Sequence, residues 1–269
     1  MICDKYYVID SHCHVYPEKI ASAAVSATDA FYGIVSDFNG TVAQLSAQMN
    51  DSGVDHAIIQ SVATTPKQVS SINTFIAGVV EQGGGKFTGL GTLHPDSEDL
   101  QADINQIISL GLKGVKLHPD IQKFKIDDYR CLKIYELCER EKLPILMHTG
   151  DNRYDYSNPN RLLPVLETYT SLTVIGAHLG GFSVWEEASS KLSGLPNFYV
   201  DTSSSVRFLS TEQAKNIIKK YGAEHVLYAT DYPMYPQTKE IDNLLCMGLS
   251  DDEYEKIFSL NAKRVFNIK

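Results

Sequence analysis

Short apolar runs recur along the chain, and each of them gives way to polar residues. Runs of this length that are rich in Val, Ile, Leu and Tyr are typical of strands buried on both faces, as in a parallel sheet covered by helices. The pattern predicts eight strands, at residues 6–9, 56–62, 87–93, 112–117, 143–147, 172–177, 197–200 and 226–229.

Helical segments are predicted between the strands, and four of them carry the capping-box pattern Ser/Thr-x-x-Glu/Gln. In this pattern a hydroxyl and a carboxylate or amide satisfy the free N–H groups of a helix start. The four pairs are Thr41 with Gln44, Ser183 with Glu186, Ser210 with Gln213 and Ser250 with Glu253. Strands that alternate with helices are joined by crossovers and lie parallel. Eight such units in 269 residues predict an α/β fold, a (β/α)8 TIM barrel with residues 1–269 as a single domain.

An open doubly wound sheet is the competing architecture. No Gly-rich dinucleotide or P-loop pattern follows any predicted strand, which favours the barrel. Residues 17–40 follow the first strand and residues 149–160 follow the fifth. Both stretches are long, and we expect them to be the active-site loops, because function concentrates in such connections.

The composition narrows the classes of function. Lys and Arg total 24 against 33 Asp and Glu, a formal net charge of −9, whereas a nucleic-acid binder needs a basic face. No apolar run approaches the roughly 20 residues that span a bilayer, and the first residues lack the pattern of a signal peptide. Five cysteines without a paired metal-type spacing predict free thiols in a reducing compartment. We therefore expect a cytoplasmic protein that binds neither nucleic acid nor membranes.

Metal-capable side chains gather where the predicted strands end. The carboxyl ends of the strands carry the active site of a (β/α)8 barrel. Five of the eight histidines and one aspartate lie at such ends, namely His12 and His14 at the first strand, His118 at the fourth, His148 at the fifth, His178 at the sixth and Asp231 at the eighth.

The alternation of side chains along a strand predicts which of these groups face inward. Residues two apart point the same way, so His12 and His14 share one face. Lys116 and His118 share a face opposite to the apolar Val115 and Leu117, which places the Lys/His pair inside the barrel. A lysine buried there requires a partner, since burying an unpaired charge is costly. A metal ion or an anionic substrate would supply one.

The imidazoles of His12, His14 and His148 and the carboxylate of Asp231 offer nitrogen and oxygen donors. Such a set suits Zn²⁺, with Mn²⁺ and Fe²⁺ as alternatives. A divalent ion with one open position lowers the pKa of a bound water toward about 7. Asp231 would then accept the proton of that water, and His178 would polarise a substrate carbonyl or carry protons.

These motifs resemble the amidohydrolase superfamily, in its amidohydrolase-related branch. The resemblance rests on residues 8–14, 114–119, 144–150, 177–181 and 229–233, and it extends over nearly the whole chain. A His-x-His pair alone is a weak signal, but with His, His and Asp ending the fifth, sixth and eighth strands it is specific. The branch contains metal-dependent hydrolases and lactonases, and decarboxylases of the aminocarboxymuconate-semialdehyde and γ-resorcylate type.

The resemblance implies roles for the individual residues. His12, His14, His148 and Asp231 correspond to the family's metal ligands. His178 corresponds to the histidine of the sixth strand, which is a ligand of a second metal in binuclear members and an acid/base group in mononuclear decarboxylases.

Lys116 lies on the fourth strand, where some binuclear members carry a carbamylated bridging lysine. No further acidic residue is found at a strand end to help hold a second ion. We therefore expect one metal ion and an uncarbamylated Lys116 that faces the substrate. Lys116, His118 and Arg153 are the predicted binding residues for an anionic small molecule. The number of subunits is left open, with a homo-oligomer as one option.

Other roles compete at several of these positions. His56 and His225 each begin a strand and are predicted to be structural. His94 ends the third strand and is undecided. His118 either lines the pocket or caps a strand, with equal weight, and Lys116 has the alternative of pairing with a structural carboxylate.

Three functions are consistent with the pattern. The first is a metal-dependent hydrolase that cleaves a C–N or C–O bond in a small carbonyl or carboxylate substrate. The alternative is a non-oxidative decarboxylase with the same ligands, and release of CO₂ separates the two. A barrel that binds a metal or ligand without turnover is disfavoured by the intact set of ligands. One barrel can host many substrates, so the fold leaves the choice open.

Overall fold

The computed structural model describes residues 5–269. Its nine short strands are all parallel, and they form two hydrogen-bonded sets in the orders β1-β2-β3 and β4-β5-β6-β7-β8-β9. The strands are β1 (Ile9–His14), β2 (His56–Gln60), β3 (Phe87–Gly89), β4 (Gly91–Thr92), β5 (Val115–Leu117), β6 (Ile145–Met147), β7 (Val174–Gly176), β8 (Phe198–Asp201) and β9 (Val226–Leu227).

The two sets of strands form one closed barrel, because β3 and β4 are a single barrel strand interrupted at Leu90. The backbone N–H of Leu90 donates to the carbonyl of Ile59, next to β3, and that of Gly91 donates to Gly114, beside β5. Counted in this way, the barrel has the eight strands that the sequence predicts.

The other seam of the barrel joins β1 to the segment that follows β9. The N–H of Ser11 donates to the carbonyl of Tyr228 over 2.9 Å, and the N–H of Asp231 donates to that of His12 over 3.0 Å. These bonds close the ring and bring Asp231 beside the histidines of β1. The prediction of a TIM barrel is confirmed.

Helices follow the strands, and most of them cover the outside of the barrel. They are α1 (Glu18–Tyr32), α2 (Val42–Ser52), α3 (Val69–Gln82), α4 (Leu100–Ser109), α5 (Pro119–Gln122), α6 (Tyr129–Arg140), α7 (Pro159–Thr168), α8 (Trp185–Leu192), α9 (Thr211–Tyr221), α10 (Gln237–Leu245), α11 (Asp251–Glu255) and α12 (Asn261–Phe266). Within the described residues, no helix has the length and apolar character needed to cross a membrane.

Alternate residues of each strand divide the apolar side chains into two cores. In β6, Ile145 and Met147 pack outward against the helices, whereas Leu146 belongs to a smaller cluster inside the barrel. That inner cluster also contains Phe266 of α12. The lumen is therefore filled below the strand ends, and α12 closes it at the end opposite the site. Cys13, Cys131 and Cys138 are buried free thiols, while Cys3 lies outside the described residues.

Three local predictions differ from the structure. The first strand is displaced toward its carboxyl end, to Ile9–His14. Residues 17–40 are mostly the helix α1 rather than a loop, because this stretch contains many alanines, the best helix formers. The Ser183 capping box is wrong, since α8 begins only at Trp185, and the hydroxyl of Ser183 instead accepts a hydrogen bond from Asn152.

Candidate metal centre and active site

Two histidines of β1 and one aspartate after β9 form a compact group of donors at the mouth of the barrel. Nε2 of His12 lies 3.1 Å from Nε2 of His14 and 3.4 Å from Oδ1 of Asp231. His12 and His14 are two residues apart in β1 and share one face, and the register of β1 with β2 shifts between Asp10 and Cys13. Three of the four predicted ligands thus offer donor atoms that all lie within 4.8 Å of one another.

The charge of this group is set by burial and by its own neighbours. Burial disfavours an ionised Asp231, but His12, His178 and His14 hold its pKa below the usual value. Burial lowers the pKa of His14 well below its usual range, and the nearby Lys116 acts in the same direction. A neutral imidazole and an ionised carboxylate are the states that bind a metal ion.

His148, the fourth predicted ligand, is buried at the end of β6 but lies outside this group. Its Nδ1 is 3.0 Å from Nε2 of His178. Its Nε2 lies 3.3 Å from Oδ2 of Asp120 and makes no hydrogen bond. His148 instead belongs to a second cluster of donors with His118 and Asp120. Its role as a fourth ligand, beside His12, His14 and Asp231, stays a prediction.

The second cluster is not arranged to hold an ion of its own. The rings of His118 and His148 are stacked, with centroids 4.0 Å apart and planes inclined by 7°. A histidine binds a metal through a ring-nitrogen lone pair that lies in the ring plane, and two stacked parallel planes share no such point. Both nitrogens of His118 are also engaged, by the backbone N–H of Ile121 and by the hydroxyl of Tyr32.

His118 lines the large cavity beside the predicted metal ligands. Its side chain also caps the start of the helix α5, rather than a strand, by accepting from the N–H of Ile121. His56 and His225 have structural partners at the amino ends of their strands, Thr88 and the carbonyl of Phe198. His94 accepts a hydrogen bond from the backbone of Asp96, as a residue in a turn does.

Lys116 lies inside the barrel, as the alternation of side chains along its strand predicts. Its neighbours Val115 and Leu117 pack in the outer core, while the Lys116 side chain is fully buried and faces the cavity. Its Nζ lies 2.9 Å from Nε2 of His12. Burial lowers the pKa of Lys116 to about 8, although Asp231 and Asp201 oppose that effect. The amine is therefore mostly protonated at neutral pH, with its Nζ beside His12 at the cavity wall.

His178 follows β7 with an unusual backbone conformation. Its φ is 61° and that of Asp231 is 66°, in a region that costs non-glycine residues about 1–3 kcal/mol and that is concentrated at functional sites. Burial lowers the pKa of His178 to about 3. The ring is therefore neutral at neutral pH, with one nitrogen that donates a hydrogen bond and one that offers a lone pair.

Asp201, at the end of β8, is a residue of the candidate site that the sequence analysis missed. Its Oδ2 lies 2.8 Å from Nδ1 of His12, and its Oδ1 accepts from the backbone N–H of His178 over 2.9 Å. The predicted seventh strand stopped one residue earlier. Had that strand been extended to Asp201, the strand-end rule that identified the histidines would have identified it as well.

Arg153 is engaged by the protein rather than left free. Its guanidinium pairs with Asp151, and its Nη1 donates to the carbonyl of Phe31 over 2.8 Å. It also lies over the rings of Phe31, Tyr32 and Tyr154. Arg153 thereby fastens the end of α1 to the loop after β6. The prediction that it binds substrate is untested by this arrangement.

Two cavities share part of their lining at the candidate site. The larger, of about 470 Å³, is roofed by α1 and reaches His12, His14 and Lys116. The smaller, of about 310 Å³, lies toward Phe182 and Arg153. The residues common to both are Tyr32, His148, His178, Asp231 and Met234.

The residues present fit a divalent metal ion. The donor set of two imidazoles and a carboxylate is the chemistry that such ions bind in proteins. The buried Nε2 of His148 makes no hydrogen bond, but it lies 3.3 Å from Oδ2 of Asp120 in the second cluster.

Comparison with known proteins agrees with this geometry. Residues 9–268 match the model of a family described as amidohydrolase. The chain belongs to this amidohydrolase family, an enzyme family. No curated protein matches the chain.

Solved structures support the fold. A TIM-barrel protein of Bordetella bronchiseptica superimposes with a TM-score of 0.78 at 22% identity, covering 97% of this chain and 98% of that one. The 5-carboxyvanillate decarboxylase LigW of Sphingomonas paucimobilis gives 0.74 at 18%, over 98% and 100%. A dihydroxybenzoic acid decarboxylase of a Polaromonas species, with bound manganese and the inhibitor 2-nitroresorcinol, gives 0.72 at 16%, over 97% of each chain.

Proposed function

We propose that this protein is a metal-dependent, non-oxidative decarboxylase that acts on a small aromatic or unsaturated carboxylate. The observation that carries the proposal is the polarity of the large cavity. Its catalytic groups stand together at the barrel end, while apolar residues of α1, among them Ala24 and Phe31, line the opposite wall. Such a pocket suits a substrate with an apolar body and an anionic head. The structural neighbours named as decarboxylases support the same choice.

His12, His14 and Asp231 would hold the metal ion, with His148 as the predicted fourth ligand. When bound, a divalent ion supplies Lewis-acid stabilisation of the negative charge that develops on the substrate. Two imidazoles suit zinc, whereas the manganese named for the Polaromonas structure favours that ion. We therefore propose a divalent ion and leave both metals to the test.

The chain's own residues then have separate tasks. The protonated Lys116 binds the substrate carboxylate, and the apolar wall excludes water from the reacting carbon. Decarboxylation breaks the bond between that carbon and the carboxylate and places one proton on the carbon. His178, whose Nε2 lies 3.0 Å from Nδ1 of His148, is the proposed group that takes up one proton from solvent and passes it to this carbon, so that its ring ends neutral as it began.

A hydrolase is the second candidate, because the same donors also suit activation of water. The buried, ionised Asp231 next to two imidazoles would serve as the base in that reaction. This function requires that water reach the substrate, whereas decarboxylation does not.

The test is to load the protein with Mn²⁺ or Zn²⁺ and to measure CO₂ release from 5-carboxyvanillate and 2,6-dihydroxybenzoate. We expect CO₂ and the corresponding phenol, and no release from Asp231→Asn. In parallel, a panel of simple lactones and amides is assayed for acid release. Hydrolysis of that panel without CO₂ from either acid would replace the decarboxylase with the hydrolase.

A further inference from the structure

We infer that Tyr32 is a substrate-positioning residue, whose hydroxyl donates a hydrogen bond to the bound acid, and that His118 holds the hydroxyl in the donating orientation. The inference rests on the proposed function, because it concerns the substrate of the same site. The observation behind it is the pair of hydrogen bonds that the imidazole of His118 makes.

The tautomer of His118 follows from its two partners. The backbone N–H of Ile121 points at Nδ1 of His118 over 3.3 Å. An N–H group can only donate, so Nδ1 offers a lone pair and carries no proton. In a neutral imidazole the proton then resides on Nε2. That nitrogen lies 2.8 Å from the hydroxyl of Tyr32.

The orientation of the Tyr32 hydroxyl follows in turn. Since Nε2 of His118 donates, the Tyr32 oxygen accepts, and its own proton points elsewhere. Among residues 5–269 no other group forms a hydrogen bond with this hydroxyl. Tyr32 is half-buried and lines the cavities, so this proton is directed at space that a ligand can enter. An oxygen of a bound substrate would accept this hydrogen bond.

Tyr32 is placed so that its hydroxyl proton can reach a ligand in the cavities. Tyr32 is the last residue of α1 and lines both cavities. Its ring centroid lies 6.2 Å from that of His148 and 6.3 Å from that of Phe182. Arg153 packs over the ring at 5.3 Å and ties the preceding carbonyl, that of Phe31. The hydroxyl is thus held on a fixed element next to the catalytic groups, which is what precise positioning requires.

The contribution of the Tyr32 hydroxyl to substrate binding is tested with Mn²⁺-loaded protein and 2,6-dihydroxybenzoate. Calorimetry measures the binding, and steady-state kinetics give kcat and KM. Tyr32→Phe removes only the hydroxyl. We expect it to weaken binding and raise KM by about 3- to 10-fold, the range for one lost neutral hydrogen bond. Tyr154→Phe is the matched control, since Tyr154 stacks on Phe31 but lines neither cavity. It should behave as the wild type.

The role of His118 is tested by two amide variants with metal content measured first. His118→Asn retains an acceptor near the position of Nδ1 but has no donor that reaches Tyr32. His118→Gln places an N–H near the position of Nε2. We expect the Asn variant to reproduce the weaker binding of Tyr32→Phe and the Gln variant to restore most of it. A purely structural contact would make both variants equally poor.

The orientation is measured without substrate by ¹⁵N NMR of histidine-labelled protein, with the His118 variants as assignments. A protonated Nε2 and an unprotonated Nδ1 are expected for His118, and the opposite tautomer overturns the inference. So does equal binding of the acid by wild type and Tyr32→Phe. If the wild type binds neither 2,6-dihydroxybenzoate nor 5-carboxyvanillate, the proposed substrate class is wrong, and the NMR result alone decides the Tyr32–His118 pair.

Discussion

Oδ2 of Asp201 lies 2.8 Å from Nδ1 of His12, and both side chains are buried. Burial would raise the pKa of Asp201, but His12, His178 and Ser203 hold it at about 2. The ionised carboxylate therefore keeps the proton of His12 on Nδ1 and leaves Nε2 as the lone pair that faces His14 and Asp231. A carboxylate behind a ligating histidine fixes its tautomer and increases its basicity.

Asp201→Asn is expected to lower metal affinity by about 10- to 100-fold while the barrel remains folded. The amide is nearly isosteric but carries no charge to hold the His12 proton on Nδ1. The measurement is calorimetric titration of the metal-free protein with Mn²⁺ and Zn²⁺. Asp251→Asn, an exposed acid near the first residues of the barrel, is the control. Unchanged affinity in Asp201→Asn would mean that His12 is oriented by other contacts.

His178→Asn is expected to retain the metal and to reduce turnover by about 10²- to 10⁴-fold, the usual contribution of a general acid or base. His225→Asn is the control, because an Asn amide can still donate to the carbonyl of Phe198 that His225 contacts. Metal content and rate are measured on the same preparations. Loss of the metal from His178→Asn would show that this residue is a ligand instead.

Metal analysis tests the expectation that Lys116 is a free amine beside one ion. Protein prepared with bicarbonate and excess zinc should contain about one equivalent per chain. Lys116→Ala should keep that ion and lose affinity for the substrate anion, because its Nζ faces the cavity rather than a carboxylate. A stoichiometry near two that falls to about one in Lys116→Ala would indicate a carbamylated, bridging lysine.

The buried carboxyl of Glu240 leads us to expect that the stability of the protein depends on pH. This effect does not involve the active site. Both carboxylate oxygens of Glu240 are buried without hydrogen-bond partners, and burial raises the pKa of Glu240 to about 7, from 4.5. Because the folded state binds this proton more tightly, the free energy of unfolding should fall as the pH rises from about 5 to 8. Glu240→Gln should remove about 2–3 kcal/mol of that fall.

Chemical denaturation of both proteins at pH 5, 6.5 and 8 measures this effect. Asp242→Asn, an exposed position on the same helix, provides the control for loss of an acid. The same pH profile in wild type and Glu240→Gln would show that the Glu240 carboxylate finds a partner or water in solution.

The sequence was sufficient to predict the barrel and the inward side chains. Eight strands buried on both faces leave short apolar runs. The alternation of side chains along the fourth run correctly placed Lys116 inside the barrel and Val115 outside. The grouping of His12, His14 and Asp231 also followed, because the carboxyl ends of parallel strands meet at one end of a barrel.

Other features depend on contacts between segments far apart in the chain. The stacking of His118 on His148 and the bond from His118 to Tyr32 join three different connections of the barrel. No local pattern records such pairings. Asp120 was missed for the same reason, since it lies within a short helix after β5 and acquires its neighbour His148 only in the folded chain.

Because the interior of the barrel is packed, substrate and product can enter and leave at one end of the barrel only. Leu146, Ile175 and the other apolar residues of the lumen, sealed by Phe266, leave no passage through the centre. An arriving acid and a departing product must therefore use the same rim, where α1 overhangs the site. A compound that binds in this opening would block both the entry of the acid and the release of the product. It would inhibit the protein without contacting any predicted metal ligand.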